Sequence, residues 1–550
     1  MIKKIALLNL LIGTMVLIGA CSQGESNVDS GNREQILHIG NGTEPQGLDP
    51  HVVTGVPEHH IISALYEGLV LKNPETLEIE PAIAKSWEIS DDGKTYTFYL
   101  RDNAQWSNGD PITAEDIRWS WWRAMQPALG NQYVFMYNAI KNAEKYVKQE
   151  ITDFADVGVT VIDDYTLQVE LENPTAYFLQ LLDHYAMFPV HRATIEKFGA
   201  PDESYTRWTR PENIVTNGPF VLESWQLNKK LTVVRNEGYW DNDRVTLNGI
   251  VFHPIDVVTT EERMFRAGQL HYTSSTLIER IPFYRENYPE YLSIAPYNGT
   301  YFYRFNTDKE NFSDVRIRKA MAMTIDRDQL IRTILNDIVT PAYAITPPGV
   351  LGYQPPKTFD YNPDEARRLL AEAGFPNGEG LPELELQFNT SEQHRKIAIA
   401  IQQMWKNELG VNVRLQNKDW KVYLDDTSIG NYEISRAGWI GDYVDPNTFL
   451  DMWLSGSELN QTGWGSERYD QLIARDAPAT KTREERFAIY QEAETIMMEA
   501  MPFIPIYTYS SNHFKHPAIQ GLDSNVMNYY NYRYVSLDSD WDGRRIGSTN

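Results

Sequence analysis

The sequence predicts an α/β protein with two or more lobes, and three observations carry this prediction. The chain has 550 residues, which is too long for one ordinary hydrophobic core. Hydrophobic residues make up 42% of it and aromatic residues 12%, a composition that argues against disorder. From Phe302 onward, segments with helical periodicity alternate with segments of strand periodicity. Such alternation is typical of an α/β lobe with partly parallel strand pairing.

The amino terminus has the features of a lipoprotein signal peptide. Lys3 and Lys4 precede an apolar run that is shorter than a bilayer span requires. The run ends in small residues directly before Cys21, the only cysteine, which resembles the bacterial lipobox whose cysteine is acylated. We therefore expect a signal peptide over residues 1–20, a lipid anchor on Cys21 and a flexible tether over residues 21–34. The alternative is a signal peptide that merely contains a cysteine.

The net charge restricts the partners. The formal charge of −25 would repel nucleic acid phosphates, so a nucleic acid partner is excluded. The same charge argues against electrostatic adsorption to anionic lipid. Any membrane attachment must therefore come from the lipid anchor.

The first third of the chain is predicted to contain strands, turns and amphipathic helices. Residues 36–39 and 96–101 favour strands. Thr113 is predicted to cap a helix, with Asp116 as the acidic third residue of a capping box. An earlier helix has an apolar face formed by Ile61, Ile62, Leu65 and Leu69.

Later segments predict two helix–strand units. Asn362 is expected to cap a helix that begins with Pro363, because both residue types favour these positions. A second helix is predicted to end at Gly410. The strands around it are indicated by two alternating sets, Leu384, Leu386 and Phe388 before the helix and Val411, Val413 and Leu415 after it.

Residues 434–446 place opposite charges on either side of a tryptophan. Arg436 and Asp442 are six residues apart, with Trp439 and two glycines between them. In an extended segment rising about 3.3 Å per residue, the charged groups would lie roughly 15–20 Å apart. One could hold a carboxylate and the other an ammonium, with an apolar wall between them. The alternative interpretation is a packed turn in which Asp442 only caps the loop.

Several stretches resemble one known family. With residues 392–394 and Trp420, the 434–446 stretch is similar to the peptide-contacting region of oligopeptide-binding proteins, the family 5 extracytoplasmic solute-binding receptors of peptide ABC importers. The succession from Trp106 to Asp116 resembles the most recognisable signature of that family. The resemblance implies a two-lobed, periplasmic-binding-protein-like α/β fold of class II type, with an extra subdomain and hinge closure around a short peptide.

The resemblance also implies roles for individual residues. Asp442 would accept the α-ammonium of the peptide, and Arg436 and His394 would receive its carboxylate at different peptide lengths. Backbone groups around Gly438 and Ile440 would pair with the peptide as an added strand. The other implied contacts are Val56 and Tyr133 from the opposite lobe, Trp420 in a side-chain pocket and Trp439.

The same resemblance divides the chain into parts. Lobe I would comprise residues 35–67, 192–292 and 510–550, the extra subdomain residues 68–191 and lobe II residues 293–509. We expect a monomer that is anchored outside the cytoplasm, in the periplasm or at the cell surface, and that contacts the permease subunits of the importer.

The sequence contains no complete motif for catalysis or for metal binding. No HExxH helix, GxSxG elbow or P-loop is present, so no enzyme activity, cofactor or metal is predicted. Within the same fold, a receptor for murein peptide, a metal chelate or an oligosaccharide is the alternative, although the charge pair favours a zwitterion over a neutral sugar. From another class, a surface glycoside or peptide hydrolase stays open, because scattered carboxylates never exclude glycoside hydrolysis. A chaperone-like adhesin is a further alternative.

Overall fold

The computed structural model describes residues 25–480, 482–543 and 545–547. Its strands are β1 Ile36–Gly40, β2 Val70–Lys72, β3 Ile79–Pro81, β4 Ala84–Ile89, β5 Thr95–Leu100, β6 Val159–Asp163, β7 Thr166–Glu170, β8 Phe220–Gln226, β9 Lys230–Arg235, β10 Gly249–His253, β11 Leu292–Phe305, β12 Thr340–Pro341, β13 Leu384–Asn389, β14 Val413–Lys418, β15 Ile434–Ile440, β16 Phe503–Phe514, β17 Ile519–Gln520 and β18 Ser536–Leu537.

Helices connect and cover these strands. The α-helices are α1 Asn27–Glu34, α2 Val56–Leu65, α3 Ala114–Ala124, α4 Ala143–Val147, α5 Phe178–Leu181, α6 Arg192–Phe198, α7 Val258–Arg266, α8 Ile281–Asn287, α9 Glu310–Ser313, α10 Val315–Met323, α11 Arg327–Ile334, α12 Pro363–Glu372, α13 Glu392–Leu409, α14 Trp420–Ser428, α15 Asn447–Leu450, α16 Glu467–Gln471 and α17 Arg483–Ala500.

The largest sheet, here called the C-terminal sheet, is built around β11. Its strand order is β12-β16-β11-β15-β13-β14. β11 pairs antiparallel with β15 and with β16, whereas β13 pairs parallel with both β14 and β15. The predicted combination of helix–strand alternation and parallel pairing is therefore confirmed in this part of the chain.

Two further sheets have four strands each, and two small sheets pair β2 with β3 and β17 with β18. The N-terminal sheet has the order β1-β10-β9-β8, and the insert sheet has the order β4-β5-β7-β6. The insert sheet is antiparallel throughout, while β1 and β10 pair parallel. The result is the two-lobed α/β fold that the sequence predicts, with an additional sheet.

Burial on both faces explains why β11 is central. Tyr301, Phe302, Tyr303 and Phe305 are all fully buried, although neighbouring residues of a strand point to opposite faces. A strand with this pattern must be covered on both sides. This part of the C-terminal sheet is consequently internal, and it provides a firm base for the neighbouring strand β15.

Several local predictions are confirmed. Thr113 and Asp116 form the expected capping box at the start of α3, where the Thr113 N–H donates to Asp116 Oδ2 at 2.8 Å. The side chain of Asn362 accepts a hydrogen bond from the Glu365 N–H at the start of α12. α13 ends at Leu409, and the predicted terminating residue Gly410 follows as its C-cap in the left-handed conformation that favours glycine.

Two local predictions need correction. α2 ends at Leu65, so Leu69 lies beyond the helix whose apolar face it was expected to share. The predicted tether also contains the helix α1, in which Val28, Gly31 and Asn32 are buried. Only Gln35 separates this helix from β1, and the Val28 N–H donates to the Gly268 carbonyl at 2.9 Å, so the chain is already part of the folded body at the start of α1. Cys21 and the predicted signal peptide lie outside the described residues.

No helix in the described ranges combines the length and the apolar character needed to span a bilayer.

A buried ion pair connects α3 to the loop that follows β1. Arg123 donates from Nη1 and Nη2 to the two carboxylate oxygens of Asp49 at 3.1 and 2.6 Å, and neither side chain is more than 3% exposed. Burial by itself would raise the pKa of Asp49, but the charge and hydrogen bonds of Arg123 hold this pKa below its usual value.

We expect Arg123→Met to lower the free energy of unfolding by about 3–5 kcal/mol, because the Asp49 carboxylate would stay buried without its partner. Urea unfolding measures this change. Lys148→Met is the matched control, since its ion pair with Glu144 is exposed and should contribute little. Equal effects of the two substitutions would contradict the prediction.

Candidate ligand-binding cavity

A cavity of about 520 Å³ lies between the C-terminal sheet and residues from the N-terminal half of the chain. This size lies within the usual range for ligand pockets in proteins. All nine residues predicted to contact a ligand line it: Val56, Tyr133, His394, Trp420, Arg436, Gly438, Trp439, Ile440 and Asp442. The fold thus brings together residues that are far apart in the sequence. Their individual roles stay predictions.

One edge of β15 is open where it borders the cavity. β15 pairs with β11 along its full length, from Ile434 to Ile440. On its other side, β13 pairs only with Ile434 and Ser435. The part of β15 from Arg436 onward therefore has no strand beside it on that side within the described residues.

Hydrogen-bond alternation determines which backbone groups face this open edge. The Gly441 N–H donates to the Asn298 carbonyl at 2.8 Å, next to the β11 ladder, and the β11–β15 register has no shift. In an antiparallel pair, successive residues direct their backbone groups to opposite sides. Since Gly441 faces β11, Arg436, Gly438 and Ile440 direct theirs to the open edge. Gly438 and Ile440 thus have the orientation that an added strand requires.

Asp442 lies in the loop that follows β15. Its N–H donates to Thr448 Oγ1 at 2.8 Å, which connects the loop to α15. Its carboxylate Oδ1 lies 3.3 Å from His184 Nε2. Oδ2 is buried and has no hydrogen-bond partner among the described residues. Burying a charged oxygen without a partner is costly, so this atom is a strong acceptor for a cation or donor in the cavity.

Arg436 is the opposite charge at the other end of the open edge. Its guanidinium donates to Tyr509 Oη at 2.9 Å and to Asn389 Oδ1 at 3.3 Å, and it lies 4.9 Å from the centre of the Tyr301 ring. No carboxylate lies within ion-pair distance of it among the described residues, and its Nε has no hydrogen-bond partner there. A partly buried guanidinium surrounded by neutral groups favours an anionic ligand.

His394 lies near Arg436, in the first turn of α13. Its Nδ1 is 3.5 Å from the Tyr301 hydroxyl. Burial and the nearby Arg436 charge hold the pKa of His394 well below its usual value. The side chain is therefore neutral at physiological pH. It can offer a hydrogen bond to a carboxylate, but not a charge unless the ligand itself raises the pKa.

Trp439 was predicted to form an apolar wall between Arg436 and Asp442, but its side chain points in a different direction. Trp439 follows the two-residue period of β15, so its side chain points to the face opposite to that of Arg436 and Gly438. Its indole N–H donates to the Thr448 carbonyl at 2.6 Å. Trp439 still borders the cavity, where its ring lies 6.2 Å from that of Tyr133. It therefore lines one end of the cavity and does not form a wall between the two charges.

Trp420 and Glu58 approach one another from opposite sides of the cavity. Trp420 begins α14 and stacks on Tyr423, with 5.5 Å between ring centres. A Cβ atom on Gly55 would lie 2.0 Å from Glu58 Oε2 and 3.1 Å from Trp420. Burial raises the pKa of Glu58 to about 7, against the opposing hydrogen bond from the Gln46 N–H, which donates to Glu58 Oε1 at 2.6 Å. Gly55 is therefore a close-approach position at which a side chain would force the two sides apart.

Some cavity residues were missed by the sequence analysis. Tyr509 on β16 orients Arg436, and its hydroxyl occupies the space that a Cβ on Gly438 would need. His184, Asp183 and Lys72 lie beside Asp442. No local pattern in the sequence marks these residues, because only the packing of distant segments brings them to the cavity.

Metal binding finds no support in the described part of the chain, where no group of three or more histidine, cysteine, aspartate or glutamate residues could hold an ion.

Comparison with known proteins gives a consistent result. Residues 78–461 match the family described as bacterial extracellular solute-binding proteins, family 5 Middle. The periplasmic oligopeptide-binding protein OppA of Salmonella typhimurium is 36% identical over 519 residues, which cover 92% of this chain and 93% of that protein. The structure of Haemophilus influenzae OppA in complex with RPPGFSPFR has a TM-score of 0.87 at 33% identity and covers 92% of this chain and 99% of that chain.

Two structures of another relative differ in how closely they match the structure of this chain. The Escherichia coli murein tripeptide-binding protein MppA has a TM-score of 0.87 at 36% identity and covers 91% of this chain and 98% of that chain. A structure described as the unliganded open form of MppA reaches only 0.62 at the same identity, with 92% and 97% covered. Because the identity is the same, the lower score reflects conformation. The arrangement of lobes in this chain is therefore unlike that open form.

Gly438→Ala should destabilise the protein by about 1–3 kcal/mol, because overpacking of a filled site has costs of this size. The new Cβ would lie 2.3 Å from Tyr509 Oη. Urea unfolding measures the loss, and adding Tyr509→Phe should recover part of it by removing that oxygen. Gly456→Ala is the control, since nothing lies within 4 Å of its Cβ position. A Gly438→Ala protein as stable as the control would refute the steric argument.

Proposed function

We propose, from the premise that this chain belongs to the family 5 bacterial extracellular solute-binding proteins, that it is a peptide receptor outside the cytoplasm that delivers short peptides to an ABC importer. One observation carries the proposal most directly. A buried carboxylate oxygen of Asp442 and the guanidinium of Arg436 both lack an ionic partner among the described residues, and they lie at opposite ends of one open strand edge. A zwitterionic, extended ligand satisfies all three features.

In the proposed complex, the peptide lies beside β15 as an additional antiparallel strand. Its ammonium contacts Asp442, and its carboxylate contacts Arg436 or, at another peptide length, His394. Main-chain hydrogen bonds to Gly438 and Ile440 supply affinity that does not depend on sequence. Val56 and Tyr133 contact the ligand from the other lobe, while Trp420 and Trp439 line the space for its side chains. Little side-chain selectivity is expected from this mode.

The proposed receptor works by closure. Lobe I comprises residues 35–67, 192–292 and 510–550, the extra subdomain 68–191 and lobe II 293–509, and a hinge movement encloses the ligand between the lobes. The lower similarity to the open form of MppA supports a closed state for this chain. Ligand contacts that exist only in this state would drive closure.

No catalytic step is needed in this function. The relatives are named as binding proteins, and the energy for transport would come from the ATPase of the importer. A murein peptide is a second candidate ligand, because the murein peptide-binding protein MppA of Escherichia coli is also 36% identical over most of this chain. Such a ligand has the same ammonium and carboxylate groups, so the same cavity would hold it.

We further propose that the mature protein is a monomeric lipoprotein. Cys21 would carry the lipid, and the start of α1 at Asn27 would leave only a few residues between the lipid and the folded body. The receptor would thus stay close to the membrane that holds its permease.

The central experiment compares peptides with and without an α-amino group by isothermal titration calorimetry. Tri-, tetra- and penta-alanine are the probes, each paired with an analogue whose first residue is replaced by propionyl. Asp442→Asn should weaken binding of the tightest alanine peptide about a hundredfold to several thousandfold, since stripping one partner from a desolvated charge pair has a cost of about 3–5 kcal/mol. It should also largely remove the preference for the free amine.

The control for this experiment is Asp425→Asn, which removes the same charge from an exposed position on α14. It should leave every affinity nearly unchanged. If the unaltered protein bound the propionyl analogues as tightly as the free peptides, the proposed role of Asp442 would be wrong. A murein tripeptide titration in the same instrument distinguishes the second candidate ligand.

Cys21→Ser should move the protein from the membrane fraction to the soluble fraction, because a serine side chain does not accept the lipid. Cell fractionation followed by immunoblotting measures the distribution. Ser22→Ala keeps the cysteine and serves as the control. A Cys21→Ser protein that fractionates with membranes would contradict the proposed anchor.

A further inference from the structure

We infer that His184 and Lys72 are positioning residues that hold Asp442 from across the cleft and make its carboxylate ready for the ligand ammonium. This inference rests on the proposed peptide-binding function. Both residues belong to the segment 68–191, whereas Asp442 belongs to the segment that carries the C-terminal sheet. His184 contacts the carboxylate of Asp442, and Lys72 contacts its backbone carbonyl. These two contacts together are called the clamp.

The first contact is made by the imidazole of His184. Its Nδ1 accepts the Ala186 N–H at 3.2 Å. A nitrogen that accepts a hydrogen bond carries no proton, so the proton of the neutral ring is on Nε2. Nε2 lies 3.3 Å from Asp442 Oδ1. His184 therefore directs its Nε2 side towards one carboxylate oxygen at this distance and leaves Oδ2 for the ligand.

Packing fixes this imidazole in place. The side chains of His184 and Asp442 are only 5% and 11% exposed. The His184 ring lies 4.4 Å from the Tyr133 ring and 4.2 Å from the Tyr185 ring. A buried ring packed against two aromatic neighbours cannot easily turn away from Asp442, so the imidazole is already oriented before the ligand arrives.

The second contact is made by Lys72 at the end of β2. Its ammonium donates to the Asp442 carbonyl at 3.2 Å and lies 3.0 Å from Asp183 Oδ2. Asp183 also accepts the Lys72 N–H at 3.1 Å and the Tyr529 hydroxyl at 3.2 Å. Asp183 thus fixes the lysine and neutralises its charge. A ligand ammonium near Asp442 therefore does not experience the charge of an unpaired Lys72.

Each contact joins parts of the chain that opening of the cleft would separate. The clamp would thus exist only when the cleft is closed, which is also when Asp442 is removed from water. A donor to a desolvated carboxylate is worth more than one in water. The clamp offsets the cost of burying Asp442, so it should slow release of the ligand while leaving the empty, open protein unaffected.

The test uses calorimetry and stopped-flow kinetics with the alanine peptide that the unaltered protein binds most tightly. His184→Phe keeps an aromatic ring between the two tyrosines but lacks a donor. We expect it to weaken binding about tenfold to a hundredfold, mainly through faster dissociation. His184→Gln places an amide N–H near the position of Nε2 and should restore affinity to within about threefold.

Two controls accompany these variants. Tyr177→Phe alters the same interface, where Tyr177 stacks on Tyr443 with 5.0 Å between ring centres, but it does not touch Asp442. It should leave the affinity within about threefold of the original. The thermal midpoint of the ligand-free protein should be the same for His184→Phe and for the unaltered chain, which a merely structural histidine would not allow.

The outcomes separate the clamp from the proposed function. If the unaltered protein bound none of the alanine peptides, the proposed function would fail. If it bound them and His184→Phe bound equally well, or if His184→Gln lost as much as His184→Phe, only the clamp would be wrong. Should His184→Phe not fold, the double variant Lys72→Met with Asp183→Asn removes the second contact without leaving a charge. Unchanged affinity in that variant would also overturn the inference.

Discussion

The proposed binding mode depends on two charged side chains for which the described part of the protein supplies no ionic partner. Asp442 and Arg436 lie at the two ends of the open edge of β15, and each retains at least one polar atom without a partner among the described residues. Leaving such atoms unsatisfied in a closed cavity costs free energy. In the proposed complex, a ligand that carries both opposite charges would remove this cost and would also supply the missing strand. The open edge would thus combine affinity from the backbone with orientation from the charges.

The rest of the fold keeps this edge in place. The part of β11 that pairs with the whole of β15 is buried on both faces, so the strand that borders the cavity cannot shift in register without disturbing the core. Gly438 lets the Tyr509 hydroxyl approach the strand closely, and that hydroxyl orients Arg436. The strand and the guanidinium that the proposed ligand contacts are therefore held in place by β11 and by Tyr509.

Contacts across the cleft connect binding to closure. Residues from the segment 68–191 reach the backbone and the carboxylate of Asp442, and Glu58 and Trp420 approach one another on the other side of the cavity. In the proposed complex, a ligand ammonium that contacts Asp442 also favours these contacts, because both depend on the same closed conformation. In the proposed mechanism, selectivity for a free amino terminus and the stability of the closed state would thus both depend on Asp442.

Local signals in the chain were sufficient for the α/β class, the capping box at Thr113, the cap at Asn362 and the end of α13 at Gly410, since each depends on residues within one turn or one strand. The proposed ligand contacts came from resemblance of short motifs, and the fold gathers them in one cavity. The open edge of β15, the face to which Trp439 points, and the approach of Tyr509, His184 and Lys72 could not be read from the chain. These features depend on which distant strands pair and which segments pack together, and no local sequence pattern encodes that choice.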